Sequence, residues 1–398
     1  MKMWIYIVRR ALILIPVIIG VMTITFAVTS LLPVEDKLIS AFGTPKGGWQ
    51  PTVPCSSLGI NQSGQCNNPP YWNAYDRLGL NQPIIYQWAL YVSNALLLNW
   101  GHIDAKSQAA NDLGLLGTNT PVVTVLGWYL PYTLELAIFA LILILLLAIP
   151  LGNYSAVYRN RPLDQGTRVM SFSGFALPTF LLATLVLFGA IAASGGAKVA
   201  ICSNQIPNYF TWVGSWPQSA CFPGGLYPAW MNPPYLHTSP TGFPTIDAAY
   251  NGQWMLSLNT VERMTLPALV IAFAAVAGIL RFVRNSMLEV MNLDYVRTAR
   301  SKGVPESVVI SRHAGRNSLI VTITVLGLTF AFFIAGFPVI EEVFQLKGIG
   351  LVLVDSIQPQ YDFGLIFGTT LLFTIIVVAA NLIVDITYAF LDPRVRLG

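Results

Sequence analysis

Long apolar stretches interrupt this sequence, and they restrict the environment in which it can fold. A helix needs about 20 mostly apolar residues to cross a hydrocarbon core. Charged residues make up 10% of the chain, against roughly 25% in ordinary soluble domains. We therefore predict an all-α polytopic membrane protein with six transmembrane helices. The six apolar stretches are 11–32, 125–150, 169–193, 266–280, 319–340 and 363–390, of which the fourth is short and can extend past Arg281.

The basic residues predict how these helices are oriented, because loops rich in Lys and Arg stay on the cytoplasmic side. Four segments hold 15 of the 22 Lys and Arg, namely 1–10, 153–168, 281–316 and 392–398. This asymmetry places both termini in the cytoplasm. The resulting order is an inside segment with the first span (1–32), an external domain (33–120), spans two and three (121–193), an external segment (194–263), and spans four to six (264–398).

All four cysteines fall in the two segments predicted to be external, where thiols meet an oxidising environment. Sequence proximity favours the pairs Cys55 with Cys66 and Cys202 with Cys221, although three connectivities are possible. A metal site is not expected, because the chain has no Cys-x-x-Cys and its histidines are scattered. Eight of the ten Trp lie in the same two segments. They indicate either small cores with an interfacial aromatic belt or a platform that receives substrate or a binding protein.

The most informative polar segment is the basic loop, which we define as residues 284–316 within the last predicted segment. Residues 294–302 lack Pro and Gly, so they predict a short helix, with Asp294 capping it or favouring its N-terminal dipole. Gly303 supplies a left-handed stop, and Pro305 with Glu306 suits the first turn of a following helix. The sequence thus predicts a short, separable helix between two spans.

Two interpretations of the basic loop were open from its residues alone. Tyr295, Ala299 and Lys302 have the spacing of one helix face, and Arg284, Arg297 and Arg300 could steer an acidic partner surface toward it. The loop would then be a docking surface. Alternatively, it could be a juxtamembrane basic segment that enforces topology or meets anionic lipid.

Catalytic motifs are missing from the sequence. It contains no phosphate-binding Gly-x-x-x-x-Gly-Lys-Ser/Thr loop, no Gly-x-Ser-x-Gly elbow and no His-Glu-x-x-His. We therefore expect no enzymatic activity, no cofactor bound by this chain and no nucleic-acid partner.

Several motifs together resemble one family. The segments Tyr295-Val296-Arg297-Thr298-Ala299-Arg300-Ser301-Lys302-Gly303 and Arg312-His313-Ala314-Gly315-Arg316-Asn317 look like the cytoplasmic loop of binding-protein-dependent ABC importer permeases of the dipeptide/oligopeptide branch. Further matches are Leu130-Pro131-Tyr132-Thr133-Leu134-Glu135-Leu136, Gly174-Phe175-Ala176-Leu177-Pro178-Thr179-Phe180, and Asp392-Pro393-Arg394. Motifs in or beside spans two to six are covered, and the external segments are covered much less.

This resemblance implies a fold, partners and a role for the basic loop. The expected assembly has a second homologous permease, two ATP-binding subunits that hold ATP and Mg, and an extracytoplasmic substrate-binding protein. The permeases lie in the lipid membrane. Substrate would pass between the two permeases by alternating access. The loop residues that would couple to the ATPase are Asp294, Tyr295, Arg297, Thr298, Ala299, Arg300, Lys302 and Gly303.

Glu135 is the ionisable residue that stands out at membrane depth in the second span. Desolvating a carboxylate costs several kcal/mol unless it faces a partner or a cavity, so it indicates either a buried hydrogen bond between spans or a site on the translocation path. The resemblance favours peptides as substrate, while relatives in the branch also carry oligosaccharides. An ion-coupled secondary transporter and a structural or receptor membrane protein are the other classes considered.

Overall fold

The computed structural model describes residues 3–45, 48–54, 57, 65–113, 115, 117–193, 241–252, 254–318, 337–358 and 361–391. The described residues are mostly helical. Their elements in chain order are α1 (Met3–Ser30), α2 (Val34–Phe42), β1 (Thr52–Pro54), β2 (Gln65–Asn67), α3 (Pro69–Arg77), α4 (Ile84–Leu96), α5 (Gln108–Asp112), α6 (Val122–Val157), α7 (Pro162–Ala176), α8 (Thr179–Ala193), α9 (Pro244–Tyr250), α10 (Trp254–Met291), α11 (Asp294–Ser301), α12 (Glu306–Val308), a π-helical segment (Val309–Gly315), α13 (Phe337–Phe344), α14 (Ile349–Ile357) and α15 (Phe363–Leu391).

Four helices in the described part of the chain are long and apolar enough to cross a membrane. They correspond to the first, second, fourth and sixth predicted spans. Of the fifth predicted span (319–340), residues 319–336 lie outside the described residues. The structure therefore supports a multi-pass membrane protein, while the total of six spans stays a prediction. The four spanning portions are Ile7–Ser30, Val122–Val157, Thr260–Met291 and Phe363–Thr387.

The third predicted span, 169–193, is not one straight helix. Its residues belong to α7 and α8, whose spanning portions meet at an angle of 108°, as in a broken span or a re-entrant loop. The break lies at Pro178, and the preceding residue, Leu177, has an extended backbone with φ −97° and ψ 121°. Proline disfavours the helical conformation of the residue before it and has no N–H of its own, which explains the break.

α10 is longer than the predicted fourth span at both ends. It begins at Trp254, inside the segment predicted to be external (194–263), and continues beyond Arg281 to Met291. The left-handed backbone of Gly252 (φ +73°) precedes it, and no Gly or Pro follows until Pro267, which the helix accommodates. The apolar stretch 266–280 is only the middle of this helix. The more polar turns before and after it belong to the same continuous helix, which hydropathy does not detect.

The chain consists of two compact units, and each unit is assembled from segments that are far apart in sequence. The five segments predicted from the sequence are defined by chain order and membrane side, which these units do not test. The five segments therefore remain a prediction. The first unit consists of Met1–Leu12, Pro131–Lys347 and Ile376–Gly398, and the second of Ile13–Leu130 and Gly348–Ile375.

Small residues allow the helices of the first unit to pack closely around α10. Ala148 on α6 and Ala272, Ala275 and Val276 on α10 are buried in one cluster. A Cβ added to Gly174 of α7 would lie 2.2 Å from the Cβ of Ala277, so only glycine fits at that crossing. Small residues that let helix backbones approach are typical of packing inside membranes.

The second unit contains a two-stranded sheet in the external segment, beside elements that are otherwise helical as predicted. β1 and β2 pair antiparallel with Val53 opposite Cys66. Cys66 is disulfide-bonded. Cys55, Cys202 and Cys221 lie outside the described residues, so the cysteine pairing stays a prediction.

Candidate functional site

The centre of the basic loop is α11, which is separated from α10 by two residues. Leu293 precedes it with an extended backbone, and no side chain caps the helix. The side chain of Asp294 is 98% exposed and lies in the first turn, 3.7 Å from Arg297. Of the two roles predicted for Asp294, the structure therefore supports the favourable interaction with the helix dipole and not the capping hydrogen bond.

The predicted left-handed stop at Gly303 is present, with φ +74°. Its N–H donates to the carbonyl of Arg300 at 2.9 Å, and the N–H of Val304 donates to the carbonyl of Ala299 at 3.3 Å. These two bonds form a Schellman motif, which satisfies carbonyls at the helix end. A Cβ on Gly303 would meet nothing within 4 Å, so the requirement for glycine is purely conformational.

One face of α11 is buried in a small apolar cluster within the loop itself. Val296 and Ala299 pack against Val309 of the π-helical segment, with Val304 partly buried beside them. Of the three residues predicted to share one helix face, Ala299 is buried in this cluster, whereas Tyr295 and Lys302 are exposed. The signal available in the sequence was the apolar pair at positions 296 and 299, three residues apart.

The second motif of the loop, residues 312–317, holds α11 through the side chain of Asn317. The hydroxyl of Tyr295 accepts a hydrogen bond of 2.7 Å from Nδ2 of Asn317. Next to this contact, Ala314 is buried against Met287 and Val290 of α10 and Ala156 of α6. The loop is therefore attached to two spanning helices.

Two arginines of the loop bind acidic side chains within the chain. Arg300 donates to Glu306 with an Nη2–Oε1 distance of 2.7 Å, and this hydrogen bond lowers the pKa of Glu306. Arg284 is bound to the buried carboxylate of Asp164 at 2.7 Å. Arg284 and Arg300 therefore each bind an acidic side chain within the chain, and their role in steering a partner stays a prediction.

The exposed surface of the basic loop is still strongly cationic. Arg297 is 68% exposed, and Thr298 lies beside it with its hydroxyl bonded to the carbonyl of Asp294 at 2.9 Å. Lys302 ends the helix and is exposed, where its charge favours the C-terminal dipole. The other exposed cations among the described loop residues are Arg300, which is paired with Glu306, and Arg312 and Arg316.

Asp164 joins the basic loop to the preceding inside segment, and sequence reasoning did not single it out. Its side chain has no exposed surface and accepts hydrogen bonds from five donors. These are Arg284 Nε (2.7 Å) and Nη2 (3.3 Å), Arg168 Nη2 (2.8 Å), Ser155 Oγ (2.7 Å) and Asn160 N (2.9 Å). The carboxylate thereby ties the end of α6 and the start of α7 to α10. The signal in the sequence was the single acidic residue within the basic segment 153–168.

Glu135 is buried in α6, with 5% of its surface exposed. The backbone N–H of Thr245, at the start of α9, donates to its two carboxylate oxygens at 3.2 and 3.5 Å. Glu135 therefore bonds a short helix outside the spans, whereas the sequence suggested either a bond between spans or an open path.

Comparisons with known proteins agree with the cytoplasmic-loop motifs. Residues 148–397 match the model of the family described as binding-protein-dependent transport system inner membrane component. A probable D,D-dipeptide transport system permease protein of Escherichia coli (strain K12) is 32% identical, covering 100% of this chain and 99% of the relative. An oligopeptide transport system permease protein of Bacillus subtilis (strain 168) is 29% identical, and a dipeptide transport system permease protein of Alkalihalophilus pseudofirmus is 30% identical, each covering 98% of this chain and 99% of the relative.

Proposed function

The chain belongs to the family of binding-protein-dependent transport system inner membrane components, and from this premise we propose that it is a permease subunit of an ATP-driven importer of di- or oligopeptides. It is a transport subunit of the plasma membrane and not an enzyme, since ATP is hydrolysed by partner subunits in such systems. The substrate class rests on the relatives, three of which are named as permeases for dipeptides or oligopeptides.

The proposed assembly contains a second homologous permease, two ATP-binding subunits and an extracytoplasmic binding protein. Substrate would pass between the two permeases by alternating access. The proposal assigns ATP and Mg to the ATP-binding subunits.

One observation supports the coupling role most directly: α11 is a folded body anchored from within its own loop. The apolar cluster, the Schellman motif and the hydrogen bond from Asn317 to Tyr295 hold it without any partner. Its outward side keeps Arg297 and Lys302 exposed for an acidic groove. Because such a body moves as a unit, force applied to it reaches α10 and, through Asp164, the turn between α6 and α7.

The proposed orientation places both termini in the cytoplasm. Arg10 near the start of α1 lies 3.3 Å from Asp385 near the end of α15. This ion pair supports a common membrane side for the two chain ends. The basic segments 153–168 and 281–316 would lie on that side as well.

For Glu135 we propose a conditional contact with substrate. In the present conformation its carboxylate is occupied by the N–H of Thr245. A substrate amine or hydroxyl could reach it only after α9 moves away. Glu135 would then exchange one hydrogen-bond partner for another as the path opens.

Gly303→Val tests the coupling role. A β-branched residue in the left-handed conformation costs roughly 1–2 kcal/mol, which disfavours the Schellman turn by a factor of about 5 to 30. We expect the reconstituted importer to hydrolyse ATP while peptide uptake into proteoliposomes falls severalfold. Gly303→Asn is the matched control, because Asn tolerates this backbone and there is free space at the position.

The two variants separate coupling from general damage. Normal uptake by Gly303→Val would contradict the coupling role. Equal loss in both variants would show that the backbone conformation is not what matters. Offering labelled oligosaccharides in place of peptides in the same assay distinguishes the two substrate classes.

A further inference from the structure

The second unit contains a cavity of about 350 Å³ that the transport proposal does not use. Its floor is formed where α1 ends and α15 begins, with Phe26 and Ser30 on one side and Phe367 on the other. α2, α3 and α4 form its walls. Pockets that bind small ligands typically measure about 300–1,000 Å³, so this one can hold a small molecule or a lipid headgroup with its first methylenes.

The charges of the described residues that line this cavity are all positive. They belong to Lys37 on α2 and Arg77 at the end of α3, and no lining residue is acidic. Nζ of Lys37 donates to the carbonyl of Ser30 at 2.8 Å, which leaves its other two N–H donors available. Burial lowers the pKa of Lys37, because desolvation disfavours the charged ammonium.

The rest of the lining is partly apolar and partly neutral. Phe26, Leu90 and Leu371 supply apolar surface, while Asn94 and Asn99 supply amide groups. A ligand that matches these walls has a negative head and an apolar chain. A zwitterionic peptide matches them less well, because its ammonium group would find no carboxylate among the lining residues.

We propose that this cavity binds the anionic headgroup of a membrane lipid, with the first part of its acyl chain against the apolar wall. Its floor consists of the ends of two spanning helices, where lipid headgroups are found. A pocket lined by two cations and no carboxylate is suited to an anionic headgroup, because opposite charges attract at close range. This inference goes beyond the transport function and does not depend on the substrate imported.

The test measures the thermal unfolding of the purified full chain in phosphatidylcholine vesicles with and without phosphatidylglycerol. We expect phosphatidylglycerol to raise the Tm of the parent by several degrees, since a ligand that binds only the folded state stabilises it. Lys37→Gln combined with Arg77→Gln should lose this rise. Lys106→Gln should keep it, because Lys106 is an exposed cation of the same unit outside the cavity.

Each outcome decides the proposal. The Tm of the double variant in phosphatidylcholine alone reports whether it folds. If that Tm is too low for the comparison, the single variants Lys37→Gln and Arg77→Gln are measured, and each should show a reduced rise. Equal stabilisation of all variants by phosphatidylglycerol, or none of the parent, would overturn the proposal. Stabilisation by trialanine or by inorganic phosphate alone that is lost in the double variant would identify a peptide or free-anion site instead.

Discussion

Asp362 shows how much a single side chain can organise in this protein. Its carboxylate is buried where α15 begins, and its Oδ1 accepts a hydrogen bond from the N–H of Leu365 at 3.0 Å. Its Oδ2 accepts from the N–H of Asp104 at 2.8 Å and from the hydroxyl of Ser107 at 3.1 Å. The residue thereby holds a loop more than 250 positions earlier in the chain against the start of the last helix.

Stability should depend on pH through Asp362. Burial raises its pKa to about 6, although hydrogen bonds from Leu365, Asp104 and Ser107 oppose the shift. Since the pKa in the folded state lies above that in the unfolded state, the stabilisation is complete below about pH 4. It is lost as the pH rises through about 6. Its size is about 3 kcal/mol.

Thermal unfolding of the parent and Asp362→Asn across this pH range tests the prediction. As the pH rises from about 4 to about 6, the Tm of the parent should fall further than the Tm of the variant, whose side chain at this position cannot titrate. Asp76→Asn, which changes an exposed carboxylate in the same unit, should follow the parent. Parallel pH profiles for the parent and Asp362→Asn would contradict the assignment.

At the scale of elements, four prolines near or within the spans have different effects. Pro131, Pro150 and Pro267 lie inside continuous helices, whereas Pro178 separates α7 from α8. A proline inside a helix removes a backbone donor and favours a kink at its position. Whether a helix continues through proline depends on how neighbouring helices and hydroxyl groups satisfy the freed carbonyl, which local sequence does not specify.

The junction of α6, α7 and α10 should be sensitive to the charge of Asp164. Asp164→Asn leaves the side chain of Arg284, which is 16% exposed, without its counter-charge. Breaking a buried ion pair in this way destabilises by about 3–5 kcal/mol. We expect a clearly lower Tm for the purified chain and reduced uptake in the assembled importer, because α10 leads directly into the basic loop.

Arg168→Gln is the control for this junction. Arg168 also contacts Asp164, yet its side chain is 48% exposed, so its loss should cost at most about 1 kcal/mol. A Tm of Asp164→Asn equal to that of Arg168→Gln would show that the buried carboxylate does not hold the junction together.

At the scale of the whole molecule, each compact unit is assembled from distant parts of the chain. The first unit joins both chain ends to the middle, and the second joins 13–130 to 348–375. Hydropathy identifies the helices within these parts, because apolar length is a local property. It carries no information on which distant segments pack together, since that depends on the shapes of the contacting side chains.

Peptide mapping under non-reducing conditions tests the predicted disulfides. We expect Cys55 linked to Cys66 and Cys202 linked to Cys221. The first pair is supported by the sheet, in which Val53 lies opposite Cys66, two residues before Cys55. Closing a loop of this length contributes about 3 kcal/mol by restricting the unfolded chain, so reduction should lower the Tm. Free thiols, or a link between the two external segments, would show the prediction to be wrong.

Residue order and composition are enough to predict the membrane class, the approximate limits of four spans and the left-handed turn at Gly303. These features follow from apolar length and from the conformational freedom of one residue. The burial of Ala299 and the bond between Arg284 and Asp164, 120 positions apart, become visible only when the chain is packed. The same holds for the bond between Glu135 and Thr245, 110 positions apart. A buried charge or polar group takes whichever partner the packed chain brings within reach, and sequence spacing does not encode that partner.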